Sequence, residues 1–136
     1  MSAPALKKGC KALLDEALAQ VKSISADDAK ALHGREDVVF VDLRDIRELE
    51  REGRIEGAFH APRGMIEFWI DPDSPYFKPV FGEDKTYVFF CAAGLRSALT
   101  VKTVQDMGFD KAVNMDGGFG AWKAQAPSGC DGNRAV

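Results

Sequence analysis

The chain has 136 residues and is 46% hydrophobic, enough to bury one core and too short for two ordinary domains. Its 18 basic and 21 acidic side chains leave a formal net charge of -3, which removes the electrostatic reason to expect nucleic acid as a partner and leaves room only for a local positive site. No apolar run approaches the ~20 residues of a spanning helix, and three cysteines without a CxxC pair argue against a disulfide framework, a zinc site or a thioredoxin-type centre.

Residues 1 to 22 carry Lys7, Lys8 and Lys11, but Asp15, Glu16 and Gln20 interrupt the apolar positions behind them. A signal peptide is therefore not expected, and a soluble cytoplasmic protein that does not engage a membrane is. Leu6, Cys10, Leu13, Leu14, Ala17, Leu18 and Val21 recur at spacings of three and four, the pattern of an amphipathic helix packed on the core or on a partner, with Cys10 as a packing residue. Ser25 and Asp28 have the spacing of a capping box, opening a short helix through Leu32 that His33 and Gly34 end. His33 is expected to be solvated or to cap.

The domain proper begins near residue 23. Val38 to Leu43 and Thr86 to Cys91 are continuous apolar runs, as in parallel strands buried on both faces. Between them, Asp45 to Glu52 suits a surface helix, and Gly53 to Pro62 returns through a short strand around Ala58 to Ala61, giving a βαβ unit. Ser97 to Met107 predicts a helix with Ala98, Leu99, Val101 and Val104 on one side, Gly108 capping its end and Phe109 packing beyond it. Lys111 to Met115 supplies another short strand. The stretch from Asp71 to Lys85, with Pro72, Pro75 and Pro79 among aromatics, is a long connection of a kind that is often functional. Phe68 and Trp69 are divided evenly between walling a site and joining the core. The organisation is an N-terminal amphipathic helix over 1–22, a domain over 23–126 and a flexible tail over 127–136, with Cys130 an exposed thiol in that tail.

Alternating strands and helices of these lengths predict an α/β fold, a doubly wound and mostly parallel sheet flanked by helices, whose ligands bind beyond the carboxyl ends of the strands. That places Asp42 and Cys91 at one rim. CAAGLRS, residues 91 to 97, lies between a buried strand and a helix. Its small residues Ala92, Ala93 and Gly94 let the backbone curl so that successive N–H groups face the Cys91 sulfur as an anion-binding nest, and the following helix adds its positive end. Both effects favour a thiolate. The candidate nucleophile is Cys91, within a substrate loop of Ala92, Ala93, Gly94, Leu95, Arg96 and Ser97, with Arg96 a fixed cation at the mouth. No metal or cofactor is called for. Asp42 is expected to support the strand end by accepting loop amides or pairing with a cation, and His60 to bond neighbouring backbone. Gly117 and Gly118 allow close backbone approach at a helix start, with Trp122 packed behind the sheet.

Four segments together, VDLR at 41 to 44, GRIEGAFHAP at 53 to 62, CAAGLRS at 91 to 97 and GGFGAW at 117 to 122, resemble the rhodanese-like family over roughly residues 24 to 124. The resemblance implies a five-stranded parallel sheet. It also implies a Cys91 that takes a sulfane sulfur from a small-molecule donor such as thiosulfate and passes it to cyanide or a thiol, including a protein thiol. Arg44 matches an arginine that contacts the substrate anion in some members and is structural in others. The chain departs from the thiosulfate-preferring pattern at Ala93, where some members carry a lysine, and has Glu56 where a proline is usual. Two alternatives stand beside this reading. A cysteine-dependent phosphatase or arsenate reductase would place its arginine one residue further on, where Ser97 stands; a non-catalytic binding module on the same fold would have no use for Cys91.

Overall fold

The computed structural model describes residues 3–124. Five strands form one sheet: β1 (Ser23–Ile24), β2 (Val38–Asp42), β3 (Phe59–His60), β4 (Thr86–Phe90) and β5 (Ala112–Met115). Their order is β1-β5-β4-β2-β3 and every neighbouring pair is parallel. The two apolar runs are the neighbouring strands β2 and β4, buried along most of their length as a sheet covered on both sides requires.

Alternate residues serve opposite faces. Val41, Tyr87 and Phe89 meet Ile66, Ile70, Val101 and Val104 on one side, while Phe40, Val88 and Phe90 meet Ala29, Ile55, Phe119 and Trp122 on the other. The first face is covered by α4 (Ile66–Ile70) and α5 (Leu95–Asp106), the second by α2 (Ala26–Leu32) and α6 (Gly118–Ala124). This is the doubly wound arrangement. Register aligns the carboxyl ends, since Asp42 stands opposite both Phe90 and His60, and the Leu43 amide donates to the Phe90 carbonyl at 2.9 Å. The residue after each central strand therefore emerges at the same rim.

Several local expectations change. The first helix, α1 (Cys10–Gln20), starts at Gly9 without a side-chain cap and not at Leu6. It lies against α5, where Gln105 Nε2 donates to the Gln20 carbonyl at 3.2 Å. Only Ala17 and the following Val21 are buried, Leu14 is half-buried, and Leu6, Leu13, Leu18 and Cys10 are exposed. An outer helix packed mainly on one neighbour needs only a narrow stripe, and exposed Cys10 is not a packing residue. Ser25 does cap α2, accepting from the Asp28 amide at 3.0 Å. His33 caps the end of α2, its amide donating to the Lys30 carbonyl at 3.2 Å, but its ring is half-buried, set edge-on to Phe40 and Trp122, with Nε2 2.8 Å from the Glu56 carbonyl oxygen.

Part of the proline-rich connection packs into the core. Its single 3₁₀ turn, Pro79–Gly82, inserts Phe81 into the core against Phe59 and Tyr87, and the Tyr87 hydroxyl lies 2.6 Å from the Val80 carbonyl. Trp69 packs edge-on to Phe59, whereas Phe68 and Tyr76 pair on the surface. Beyond α5, Gly108 at φ +101° turns the chain and Phe109 packs on Tyr87, as the sequence leads one to expect. Among the described residues no helix is long and apolar enough to cross a membrane. Cys130 and the tail lie outside the described residues.

Candidate active site

The loop between β4 and α5 is shaped from outside by α6. The Phe119 amide donates to the Cys91 carbonyl at 2.7 Å and the Gly120 amide to the Ala92 carbonyl at 3.0 Å. In a trans peptide the carbonyl and the next N–H point in opposite directions, so holding these carbonyls outward turns the Ala92 and Ala93 N–H groups inward. Such close approach demands glycine at 118, where a Cβ would sit 2.8 Å from the Ala92 carbonyl carbon. Gly94, at φ +93°, then reverses the chain into α5. The helix thus begins at Leu95, two residues before the expected start at Ser97, and includes Arg96 and Ser97 in its first turn.

Cys91 is 1% exposed. Its Sγ receives the Gly94 amide at 3.2 Å and the Ser97 amide at 3.4 Å, and lies 3.5 Å from the Ser97 hydroxyl. Burial pushes the thiol up, but the Ser97 hydroxyl and the amides of Ser97, Gly94 and Ala93 together outweigh it and hold it below the ordinary thiol range. The predicted nest exists, and it is aimed at the sulfur.

Arg96 is fixed but not free. Nη1 and Nη2 bond the two carboxylate oxygens of Glu48 at 2.9 and 3.0 Å. Glu48 also accepts the Asp45 amide at 3.1 Å, completing the capping box of α3 (Ile46–Glu52). The cation expected at the mouth is fixed, and its charge is compensated by the carboxylate that fixes it. The pair holds the Arg96 guanidinium in its charged form and Glu48 below the usual carboxylate range.

Arg44 is buried and engaged within the fold. It is 1% exposed, forks onto Asp42 with Nε–Oδ1 at 2.9 Å and Nη2–Oδ2 at 2.7 Å, reaches the Gly53 carbonyl at 2.9 Å, and lies 4.2 Å from the Phe119 ring centre. These contacts tie the end of β2 to the turn after α3 and to α6, and they engage the fork that a substrate anion would need. Asp42 also accepts the Arg44 amide at 3.1 Å. His60 Nε2 lies 2.6 Å from the Arg44 carbonyl oxygen, bonding backbone as expected.

Two contributors escaped the sequence reading. Glu48 stands three residues after Asp45, a capping-box spacing that was the available signal, but its partner Arg96 is 48 positions away. Asn114 is a buried polar residue in the otherwise apolar strand β5, bonded to Ser97 at 2.7 Å; its polarity inside an apolar run was the available signal.

The rhodanese-like domain family matches residues 25–125. A putative sulfurtransferase, YtwF of Bacillus subtilis, is 33% identical over 78% of this chain and 94% of its own length. The thiosulfate sulfurtransferase GlpE of Coxiella burnetii is 26% identical over 79% and 92%. Among solved structures, a protein of unknown function from Rhodopseudomonas palustris, described as a possible tyrosine phosphatase, is 54% identical with a TM-score of 0.88, covering 91% of this chain and 96% of that one. A rhodanese-like domain protein of Staphylococcus aureus is 32% identical with a TM-score of 0.58, covering 75% and 91%. The five-stranded parallel sheet and the sequence match together place this chain in the rhodanese-like domain family.

Proposed function

We propose that the protein transfers sulfane sulfur through a persulfide on Cys91, taking it from a small-molecule donor such as thiosulfate and delivering it to a thiol, including a protein thiol. In the first half-reaction the Cys91 thiolate attacks the outer sulfur of thiosulfate, the S–S bond of the donor breaks, and sulfite leaves with the bonding pair. In the second, cyanide or an acceptor thiolate attacks the terminal sulfur, the bond to Sγ breaks, and the Cys91 thiolate is restored. No redox partner is required. A reducing compartment such as the cytoplasm would supply the thiol acceptor.

The observation that carries this reading is the ring of inward amides on a buried sulfur, with Gly94 and Ser97 both within 3.4 Å of Sγ. The same donors suit the leaving thiolate of the second half-reaction and the terminal sulfur anion of the persulfide. The phosphatase reading attached to the Rhodopseudomonas protein fits this loop less well. Four residues separate Cys91 from Arg96, and the guanidinium fork that would bind two phosphoryl oxygens is held by Glu48.

Thiosulfate:cyanide sulfurtransfer by the wild-type protein and by Cys91→Ser, Cys10→Ser and Cys130→Ser tests the reading. Activity lost only in Cys91→Ser supports it. Equal loss in all three, or Cys91-dependent hydrolysis of p-nitrophenyl phosphate without sulfur transfer, rejects it.

A further inference from the structure

Ser97 and Asn114 are both buried, and they continue the hydrogen-bonded chain that starts at the Cys91 sulfur. Asn114 Nδ2 faces the Asp116 carboxylate at 3.4 Å and the Ser23 hydroxyl at 3.3 Å. A carboxylate only accepts, which fixes the amide nitrogen on that side and the carbonyl oxygen toward Ser97, 2.7 Å away. That oxygen has no hydrogen of its own, so Ser97 must supply one, and a hydroxyl has only one to give.

We propose that Asn114 is a positioning residue for Cys91: it accepts the hydrogen bond of the Ser97 hydroxyl, so that the resting Cys91 S–H donates to the Ser97 oxygen. When Cys91 ionises, the hydroxyl can turn to the sulfur only by leaving the buried Asn114 oxygen without a donor, which opposes the turn. The amides of the nest still favour the thiolate, but the hydroxyl is partly withheld. The charged groups facing this chain are Arg96 from α5 with Glu48 of α3 bonded to it, and Asp116 at the end of β5; Asp42 and Arg44 at the neighbouring strand end neutralise each other.

Withholding the hydroxyl leaves a more basic thiolate. Such a sulfur attacks a donor faster and leaves an acceptor more slowly, because thiol exchange rates follow basicity with a coefficient of about 0.4–0.5. The inference takes Cys91 as the sulfur carrier, but its test needs no sulfur donor.

Iodoacetamide alkylation of Cys91, followed by peptide mapping across a pH series, reads the thiolate directly. In Asn114→Leu the Ser97 hydroxyl is free for the sulfur, and the midpoint of alkylation should move to lower pH. Where the thiol becomes tenfold more acidic, donor attack at high pH should slow by roughly threefold while delivery to the acceptor speeds up. In a Ser97→Ala background the Asn114→Leu shift should vanish. A folded Asn114→Leu protein with an unmoved midpoint, or the same shift in both backgrounds, overturns the proposal. The wild-type protein provides a second readout should Asn114→Leu not fold. The S–H stretching band lost in Cys91→Ser should lie at the lowered frequency of a hydrogen-bonded thiol, and a free-thiol frequency overturns the proposal. Absence of persulfide would reject sulfur transfer without moving either result.

Discussion

Arg96 and Glu48 form a two-point ion pair at the mouth of the sulfur loop, with N–O distances of 2.9 and 3.0 Å and the Arg96 side chain 42% exposed. The pair cancels the charge that would draw a dianionic donor, and Ala93 adds none. Replacing Glu48 with Gln keeps the volume and releases the cation. The kcat/KM for thiosulfate should then rise, by about 5-fold if the exposed unit charge acts with ~1 kcal/mol. Steady-state kinetics with thiosulfate and with an uncharged organic polysulfide separates the cases, since the second donor should respond weakly.

Arg96→Ala should act in the opposite direction on the same donor. A pair this exposed contributes only about 0.2–1 kcal/mol to stability, so a thermal melt should change little while thiosulfate use falls. A large loss of folding with unchanged kinetics in the folded fraction would contradict the placement of Arg96 at the mouth.

The Asp42–Arg44 pair sits in a different regime. Both side chains are 1% exposed, and removing one charge from a buried pair leaves the other uncompensated at a cost of about 3–5 kcal/mol. Asp42→Asn should lower the denaturation midpoint strongly, yet leave the donor KM of the remaining folded enzyme unchanged. A selective rise in KM would restore Arg44 as a substrate contact.

Gly118→Ala tests the clamp that shapes the loop. The added methyl meets the Ala92 carbonyl carbon at 2.8 Å, and backbone must yield, at about 1–3 kcal/mol. Because the displaced segment carries the inward amides, Cys91 alkylation should shift to higher pH as well. Loss of stability with an unmoved alkylation profile would show that α6 does not set the nest.

The lowered thiol pKa gives stability a defined pH dependence. A group that is more acidic in the folded state contributes stability that is full above its unfolded pKa and is lost as pH falls through its folded pKa. Wild-type protein should therefore gain on Cys91→Ser as pH rises through that window and lose the advantage below it. Paired denaturant titrations across the series check the sign; a gap that widens on acidification would contradict it.

Much of this architecture was readable from residues close together in the chain. The two buried strands, the Ser25 cap, the Gly108 turn and the CAAGLRS loop each declare themselves within a few residues, because pattern, capping and turn chemistry are local. The charge balance at the mouth was not readable, since Arg96 meets Glu48 only when β2 and β4 pair and bring α3 to the head of α5. Likewise Cys10 shares a stripe with Leu14 and Ala17 in sequence, but how wide a stripe is covered depends on how many neighbours α1 finds, and it finds α5. His33 depended on Trp122, at the far end of the chain.

Intact-mass spectrometry after brief exposure to thiosulfate or an organic polysulfide tests the central claim most directly. The account predicts a gain of one sulfur atom that maps to Cys91, disappears on addition of cyanide with thiocyanate formed, and is absent in Cys91→Ser. An unmodified Cys91 with every donor tested, in a protein whose alkylation shows the thiolate to be present, would contradict it.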